Sequence, residues 1–299
     1  MSRSSARNAG GRTVQDVTTP DLEAAAATPS RSTGPWLVAL DIDGTLVTYD
    51  EELADETREV IAAVLAAGHH VILASGRSLI SMTPLAAELK IDEGWIVASN
   101  GAVVARLDRS APEGYELEHV ETFDPGPALR LLREELPDAR YAVEDVGIGF
   151  RLTEHFPDGE LQGEHEIVDF EELWSADVTR VVVRAPDSSS DEFHRLAEAI
   201  GLEDVTYAVG WSAWMDIAPM GVTKASGLER VRAALGVSPE RTLAVGDGAN
   251  DIDMLRWAAR GVAMGHASER VRDAAGETTG GIEENGVVPV LRSLLDERL

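Results

Sequence analysis

The sequence has 299 residues, with 26 Lys and Arg against 53 Asp and Glu, no cysteine, and 44% hydrophobic side chains. The length allows two domains, and a formal charge of −27 argues against nucleic acid or an anionic membrane as a partner. The lack of cysteine excludes disulfides, thiol catalysis and zinc–thiolate sites. With neither a signal peptide nor an apolar run near the ~20 residues of a membrane span, these features predict a cytoplasmic protein.

Residues 1–34 consist largely of Ser, Thr, Ala, Gly and Arg, with few large apolar side chains. Such a segment cannot bury enough apolar surface to offset the entropy lost on ordering. The sequence therefore predicts a disordered N-terminal tail over residues 1–34.

After the tail, short apolar runs alternate with amphipathic segments. Strands are predicted at Trp36–Leu40, His70–Ala74 and Trp95–Ala98, and helices at Asp55–Ala67 and up to Lys90. Asp55 is the expected N-cap of the first helix. The strand–helix alternation predicts an α/β fold, a doubly wound, Rossmann-like parallel sheet.

The middle of the chain has a different pattern. Strand candidates from 101 to 215 are more polar and often follow one another directly, as in Tyr141–Glu144 and Ile148–Leu152. Two further strands, Thr179–Arg184 and Val205–Val209, are predicted on either side of a helical pattern around Phe193. This indicates an inserted α+β domain at 101–215 with an open antiparallel sheet. The α/β alternation then returns, so residues 35–100 and 216–299 are predicted to form one core. Its later elements are strands at Arg241–Val245 and Gly261–Met264 and helices at Asp251–Ala259 and Val287–Leu295.

The first chemically informative segment is Asp41-Ile42-Asp43-Gly44-Thr45, directly after the first strand. Residues i and i+2 of an extended chain point to the same side, so both carboxylates can face one pocket. Two such carboxylates repel each other unless a cation or a shared proton intervenes. The alternative is a polar strand end that caps the next turn.

Three further segments lie where the α/β elements end or resume. Ser75-Gly76-Arg77 offers a hydroxyl and free N–H groups to an anion, although Ser-Gly is also a common turn. In Gly246–Asp251, Asp251 replaces the last glycine of a dinucleotide loop, and the acids suit Mg²⁺; an Asp-Gly turn with a helix cap is the alternative. Lys224, one of two lysines, follows the expected N-cap Thr223, whereas a lone lysine is usually solvated.

The order of these four segments resembles the haloacid dehalogenase (HAD) superfamily of phosphohydrolases. The sequence is further similar to its Cof-type subgroup, which inserts an α+β cap of the second class between the second segment and the lysine. Ser99-Asn100-Gly101-Ala102 resembles the Asn-Gly-Ala segment of that subgroup at the junction of core and cap. The resemblance covers nearly all residues from Trp36 onward, and Ser75 stands where threonine is commoner.

The resemblance implies a role for each matching residue. Asp41 would be the nucleophile that forms an aspartyl-phosphate, and Asp43 the general acid and then base. Mg²⁺ would be held by the Asp41 carboxylate, the Asp43 carbonyl and Asp247, with Asp251 bound to the ion directly or one layer behind. The groups implied to contact the phosphoryl oxygens are Ser75, the Ile42 and Gly76 amides, Asn250 and Lys224.

The implied function is hydrolysis of a small phosphomonoester, either a sugar phosphate or a phosphorylated cofactor or precursor. A phosphomutase or phosphotransferase with the same intermediate is an alternative. A non-catalytic receiver-like phosphoacceptor is another, against which the long insert and Asp43 count, and a silent binding protein is a third. The expected partner is a small phosphorylated metabolite, and the expected state is a monomer or homodimer.

Overall fold

The computed structural model describes residues 34–185, 205–209 and 213–296, together with Phe193 and Arg195. The predicted tail, apart from Gly34, lies outside these residues, as does most of the helical pattern predicted around Phe193. The strands are β1 Leu37–Leu40, β2 His70–Ala74, β3 Gly94–Ala98, β4 Val103–Leu107, β5 Tyr115–Val120, β6 Arg140–Asp145, β7 Gly149–Leu152, β8 Glu164–Ile167, β9 Val181–Arg184, β10 Val205–Val209, β11 Trp214–Pro219, β12 Thr242–Gly246, β13 Arg260–Ala263 and β14 Glu277–Thr278. The helices are α1 Asp55–Ala66, α2 Leu79–Glu88, α3 Gly126–Glu135, α4 Lys224–Leu235, α5 Ile252–Trp257, α6 Glu269–Ala274 and α7 Val287–Asp296.

An eight-stranded sheet forms the larger layer, in the order β14-β13-β12-β1-β2-β3-β4-β5. Its strands run parallel from β14 to β3. In β1, Val38 and Leu40 join one buried apolar cluster, while Leu37 and Ala39 join the other. Helices cover both faces of such a sheet, so a continuous apolar run is what its central strand requires. The predicted doubly wound α/β fold is confirmed.

The antiparallel end of this sheet differs from the sequence prediction. Strands β4 and β5 extend it from β3, although the predicted insert began at residue 101. β4 is almost entirely buried, and its apolar side chains complete both core clusters. The predicted boundary at 215/216 likewise falls inside β11, since that strand runs to Pro219. Local polarity cannot mark such boundaries, because an antiparallel hairpin fits the edge of a parallel sheet.

A second sheet of six strands lies between β5 and α4 in the chain, in the order β10-β11-β9-β6-β7-β8. Its pairs are antiparallel except β7 with β8. One face packs on α3, where Tyr141 meets Leu129 and Leu132 in a buried cluster. The predicted α+β insert with an open, largely antiparallel sheet is therefore present.

Of the two helix N-caps predicted from the sequence, one differs in the structure and one is confirmed. Asp55 was expected to cap α1, but Ala54 is the N-cap and Asp55 occupies the first turn, where its charge favours the helix dipole. Thr223 caps α4 as predicted, because its hydroxyl accepts the Ser226 N–H while the Ser226 hydroxyl accepts the Thr223 N–H. In the part of the chain described, no helix combines the length and apolarity needed to cross a bilayer.

Candidate active site

Four charged side chains meet at the carboxyl ends of β1 and β12. The Nζ of Lys224 donates to Asp41 Oδ1 and to Asp251 Oδ1, both at 2.6 Å. All three side chains are almost completely buried. Asp251 Oδ2 also accepts the N–H groups of Asp247 and Gly248, at 2.9 and 2.8 Å. The loop after β12 is thus folded around Asp251, and Lys224 ties it to Asp41.

In this cluster the buried acids outnumber the cation. Burial raises the pKa of Asp41, and Asp251 raises it further, against the opposing effect of Lys224. Burial and Asp251 likewise raise the pKa of Asp247. Desolvation acts to lower the pKa of Lys224, but its two carboxylate partners outweigh burial and raise it, so the ammonium form is retained. One ammonium group among three acids leaves a buried negative charge that an added cation would relieve.

The same carboxylates form a suitable cation site. Asp41, Asp247 and Asp251 each offer an oxygen within 4.8 Å of the others. Carboxylate oxygens are the ligands that Mg²⁺ prefers, and the uncompensated charge fits a divalent ion. The residues present therefore fit Mg²⁺.

Asp247 is held by three side chains whose contacts with it the sequence did not indicate. Oδ1 accepts a hydrogen bond from Thr45 at 3.3 Å, and Oδ2 accepts one from Tyr49 at 3.0 Å. His266 Nε2 lies 3.3 Å from Oδ2, while its Nδ1 accepts the Ile282 N–H. That backbone bond assigns the ring proton of a neutral His266 to Nε2, so the imidazole donates to Asp247. Thr45 and Tyr49 lie in the loop that follows β1, whereas His266 lies in the loop after β13, so no local spacing joins the three.

The backbone turn beside the Asp247 carboxylate requires a glycine at position 44. Gly44 has φ +80°, and a Cβ there would lie 2.4 Å from Asp247 Oδ2. The N–H of Gly44 donates to the Val47 carbonyl, while Ile42, completely buried, accepts three N–H groups of the same loop. The glycine thus permits both the turn and the close approach of Asp247.

We expect Gly44→Ala to weaken divalent-cation binding by at least about tenfold, because the methyl group displaces Asp247 and the positive φ is strained. Titration calorimetry with Mg²⁺ measures this directly. Gly68→Ala is the matched control, since Gly68 also has positive φ (+82°) but open space around its Cβ position. Equal Mg²⁺ affinities in the two variants would contradict the steric explanation.

The Ser75-Gly76-Arg77 segment forms a tight loop after β2. The Ser75 N–H donates to the Val97 carbonyl, and the Arg77 N–H donates to Ser75 Oγ at 3.2 Å. Ser75 is buried, and helix α2 begins only at Leu79, with Ser78 as N-cap. The loop therefore precedes helix α2 and does not form its first turn. Asn250 joins it through Asn100, whose Oδ1 accepts the Asn250 amide at 2.9 Å.

Asp43 faces a different partner from Asp41. Its carboxylate accepts hydrogen bonds from Arg77 Nη2 at 2.5 Å and from Nε at 3.0 Å. Arg77 also pairs with Glu51 at 3.2 Å. Asp43 is about half exposed at the side chain, so it can reach a ligand in the neighbouring space. The sequence placed Asp43 in the site but gave no indication of its pairing with Arg77.

A cavity of about 800 Å³ lies between the two sheets and brings these groups together. Asp41, Asp43, Ser75, Asp247 and Asn250 line its eight-stranded-sheet side. The six-stranded sheet contributes Phe150, Arg180, Trp214 and Asp216 to the opposite wall. Lys224 lies behind Asp41 and lines an adjoining cavity of about 410 Å³, together with Asn100 and Asn250. The structure thus gathers all the sequence-predicted residues at one site.

Comparison with known proteins identifies the family. The family described as haloacid dehalogenase-like hydrolase matches residues 38–133 and 141–291. The chain belongs to this family. Membership agrees with the resemblance found in the four sequence segments, and the matched residues span both sheets.

Relatives of this hydrolase cover nearly the same length. 5-Amino-6-(5-phospho-D-ribitylamino)uracil phosphatase YitU of Bacillus subtilis is 28% identical over 272 residues, covering 87% of this chain and 97% of the relative. Phosphatase YwpJ of the same organism is 27% identical, covering 87% and 99%. The solved structure of the HAD subclass IIB sugar phosphatase BT4131 superposes with a TM-score of 0.72 at 24% identity, over 87% of this chain and 98% of that one. The chain is thus a phosphatase-type hydrolase with the HAD fold.

Proposed function

We propose that this protein is a Mg²⁺-dependent phosphatase that hydrolyses a small phosphomonoester through an aspartyl-phosphate intermediate. The observation that carries the proposal is the buried Asp41, fixed by Lys224 beside two further acids and open to a large cavity. A carboxylate so placed can attack phosphorus only when its charge and that of the substrate are offset, which the cation site and Lys224 provide.

In this mechanism an Asp41 oxygen attacks phosphorus, and the bond from phosphorus to the ester oxygen breaks. Asp43 gives its proton to the departing alkoxide, then takes a proton from the water that attacks the aspartyl-phosphate. That second step releases inorganic phosphate and restores the Asp41 carboxylate. Arg77, which donates to both Asp43 oxygens in this structure, orients the ionised carboxylate that acts as the base in this second step.

The Asp41 and Asp247 carboxylates and the Asp43 carbonyl would hold the Mg²⁺ ion. We propose that Asp251 supports them from behind, since both of its oxygens already bind the Asp247 loop and Lys224. When bound, the ion neutralises charge between the anionic nucleophile and the anionic substrate. The proposed contacts to the phosphoryl oxygens are those of Ser75, the Ile42 and Gly76 amides, Asn250 and Lys224.

The proposed substrate is a sugar phosphate or a phosphorylated cofactor precursor. Phosphatase YitU acts on a phosphorylated ribitylamino-uracil, and BT4131 is a sugar phosphatase, so both classes occur among similar proteins. The six-stranded sheet would then act as the cap that selects the leaving group. Its wall of the cavity offers Phe150 and Trp214 beside the charged Arg180 and Asp216, which suits a small polar molecule with an apolar face.

A screen of phosphomonoesters that measures free phosphate tests this function. We expect release that depends on Mg²⁺ and is lost on chelation. Ca²⁺ should inhibit, because it prefers more oxygen ligands at longer distances. Full activity in excess chelator would contradict the metal requirement. Transfer of the phosphoryl group to a second sugar without free phosphate would identify a phosphomutase or phosphotransferase instead.

The role of Asp43 predicts a leaving-group effect. Alkoxides depart poorly without a proton, whereas the phenolate of p-nitrophenyl phosphate needs less assistance. We expect Asp43→Asn to slow phosphoryl transfer from a sugar phosphate by about 10²–10⁴-fold, and from the aryl ester far less. Single-turnover rates plotted against leaving-group pKa should be steeper for the variant. Parallel plots would mean that Asp43 is not the proton donor.

A further inference from the structure

A buried ion pair of the six-stranded sheet reaches across to the loop that contains Ser75. Glu144 belongs to β6 and Arg180 directly precedes β9, and both side chains are almost completely buried. Arg180 Nη1 donates a hydrogen bond to the Gly76 carbonyl, on the other sheet's side of the cavity. Glu144 Oε2 accepts a 2.6 Å hydrogen bond from the Ser99 hydroxyl, a buried contact with the turn that follows β3.

Each of these contacts holds the same loop. The Gly76 carbonyl that Arg180 binds belongs to the peptide group whose N–H, that of Arg77, donates to Ser75 Oγ. The Ser99 N–H that follows β3 donates to the Arg77 carbonyl at 2.9 Å. Arg180 therefore fixes the tilt of the peptide that orients the Ser75 hydroxyl. Because Ser75 Oγ accepts from that peptide, its own proton is free for a phosphoryl oxygen.

The distances within the Glu144–Arg180 ion pair are too long for it to contribute much to the stability of the fold. Arg180 Nε lies 3.6 Å from Glu144 Oε2, and Nη1 lies 3.6 Å from Asp216 Oδ1. Arg180 Nε, Glu144 Oε1 and Asp216 Oδ1 are buried without a hydrogen-bond partner. Buried ion pairs of such geometry contribute little net stability, and under-satisfied buried groups call for another explanation.

Backbone strain at the contact point supports a functional role. Ser99 and Asn100 have φ of +50° and +52°, a region that asparagine tolerates but serine rarely adopts. Asn100 also donates its N–H to the Ser75 carbonyl at 3.0 Å. The turn that Glu144 engages is therefore a strained segment bonded directly to the Ser75 loop, and such strain persists only where surrounding contacts impose it.

We propose that Arg180 and Glu144 are positioning residues: they align the Ser75 hydroxyl for the phosphoryl group while the six-stranded sheet covers the site. The inference rests on the proposed function, since it assigns Ser75 to phosphate. Through these two residues, the six-stranded sheet, which faces the leaving group, contacts the Ser75 loop, which faces the phosphoryl group. The phosphate site is fully formed only when both sheets contribute.

A double-mutant cycle tests this. The neutral pair Glu144→Gln with Arg180→Met removes both charges of this pair together. Asp216, which lies 3.6 Å from Arg180, keeps its 3.0 Å hydrogen bond from Trp214 Nε1. The pair is combined with Ser75→Ala, and calorimetry in Mg²⁺ measures the dissociation constant of inorganic phosphate. We expect the neutral pair and Ser75→Ala each to weaken phosphate binding by about tenfold, and the combination to bind no more weakly than Ser75→Ala alone.

The matched control is Asp145→Asn with Arg151→Met, an ion pair of the same sheet at 3.0 Å that does not line the cavity. It should change phosphate affinity by less than about twofold. If the neutral pair fails to fold, Ser99→Ala is a smaller change that removes the contact with Glu144. It is combined with Ser75→Ala in a second cycle, again measured as phosphate affinity. Three results would overturn the inference. The losses of phosphate affinity could multiply in the combined variant, the neutral pair could show no loss, or the control could show an equal loss. If the unmodified enzyme binds no phosphate in Mg²⁺, the proposed function falls, and this inference with it.

Discussion

Asp41→Asn is expected to fold like the unmodified protein and to lose at least about a thousandfold in turnover of every phosphomonoester. An amide cannot act as the nucleophile, and no other carboxylate occupies its place at the end of β1. The fold should survive, because burial and the charge of Asp251 both disfavour an ionised Asp41 and so raise its pKa. A neutral amide at this position avoids the burial cost and the repulsion by Asp251. Steady-state release of phosphate and thermal unfolding measure the two effects.

Asp145→Asn is the control for this substitution, since Asp145 is an ion-paired aspartate away from the cavity. Its turnover should match that of the unmodified enzyme. Retention of turnover within a few-fold by Asp41→Asn would contradict the aspartyl-phosphate mechanism. A trapped phosphoenzyme in the unmodified protein but not in Asp41→Asn would support it.

Lys224→Met should destabilise the protein by about 3–5 kcal/mol in metal-free buffer. The ammonium group is almost completely buried and is the cation shared by Asp41 and Asp251, so its removal leaves two adjacent carboxylates. Urea unfolding at pH 7 measures the loss. Lys90→Met is the control, because Lys90 is exposed and is the chain's second lysine.

The pH dependence of this loss has a defined sign. An acid whose pKa is raised in the folded state binds more protons folded than unfolded, so lowering the pH favours folding. Burial already raises the pKa of Asp41, and Lys224→Met removes the ammonium group that opposes this effect, so the pKa should rise further. The deficit should therefore shrink as the pH falls from 7 toward 5, and added Mg²⁺ should also reduce it. A deficit independent of both pH and Mg²⁺ would show that Lys224 acts through packing alone.

Much of the fold and site could be predicted because the chemistry lies directly after apolar strands. Asp41 follows β1 and Ser75 follows β2, and parallel strands bring such positions to one edge of a sheet. Strand β10 has the predicted bounds, Val205–Val209. Thr223 capped α4 as its residue type indicated. In each case, the local sequence carried the information.

The rest depends on contacts between distant parts of the chain. The β4–β5 hairpin belongs to the eight-stranded sheet because it pairs with β3, and nothing in its composition distinguishes it from the insert. The Arg77–Asp43 pair, the His266–Asp247 contact and the Arg180–Gly76 hydrogen bond each join residues far apart in sequence. Arginine and histidine are ordinary surface residues by type, so only the folded geometry reveals these roles.

The strand order has a consequence for synthesis of the protein on the ribosome. Strand β1 lies between β2 and β12, yet β12 leaves the ribosome only after the whole six-stranded sheet. During that interval, one side of β1 exposes unpaired backbone groups and apolar side chains, an arrangement prone to aggregation. The six-stranded sheet, whose strands are contiguous in the chain, can form first. Completion of the strand that leads to Asp41, and with it of the proposed active site, must therefore wait until β12 has followed the six-stranded sheet out of the ribosome.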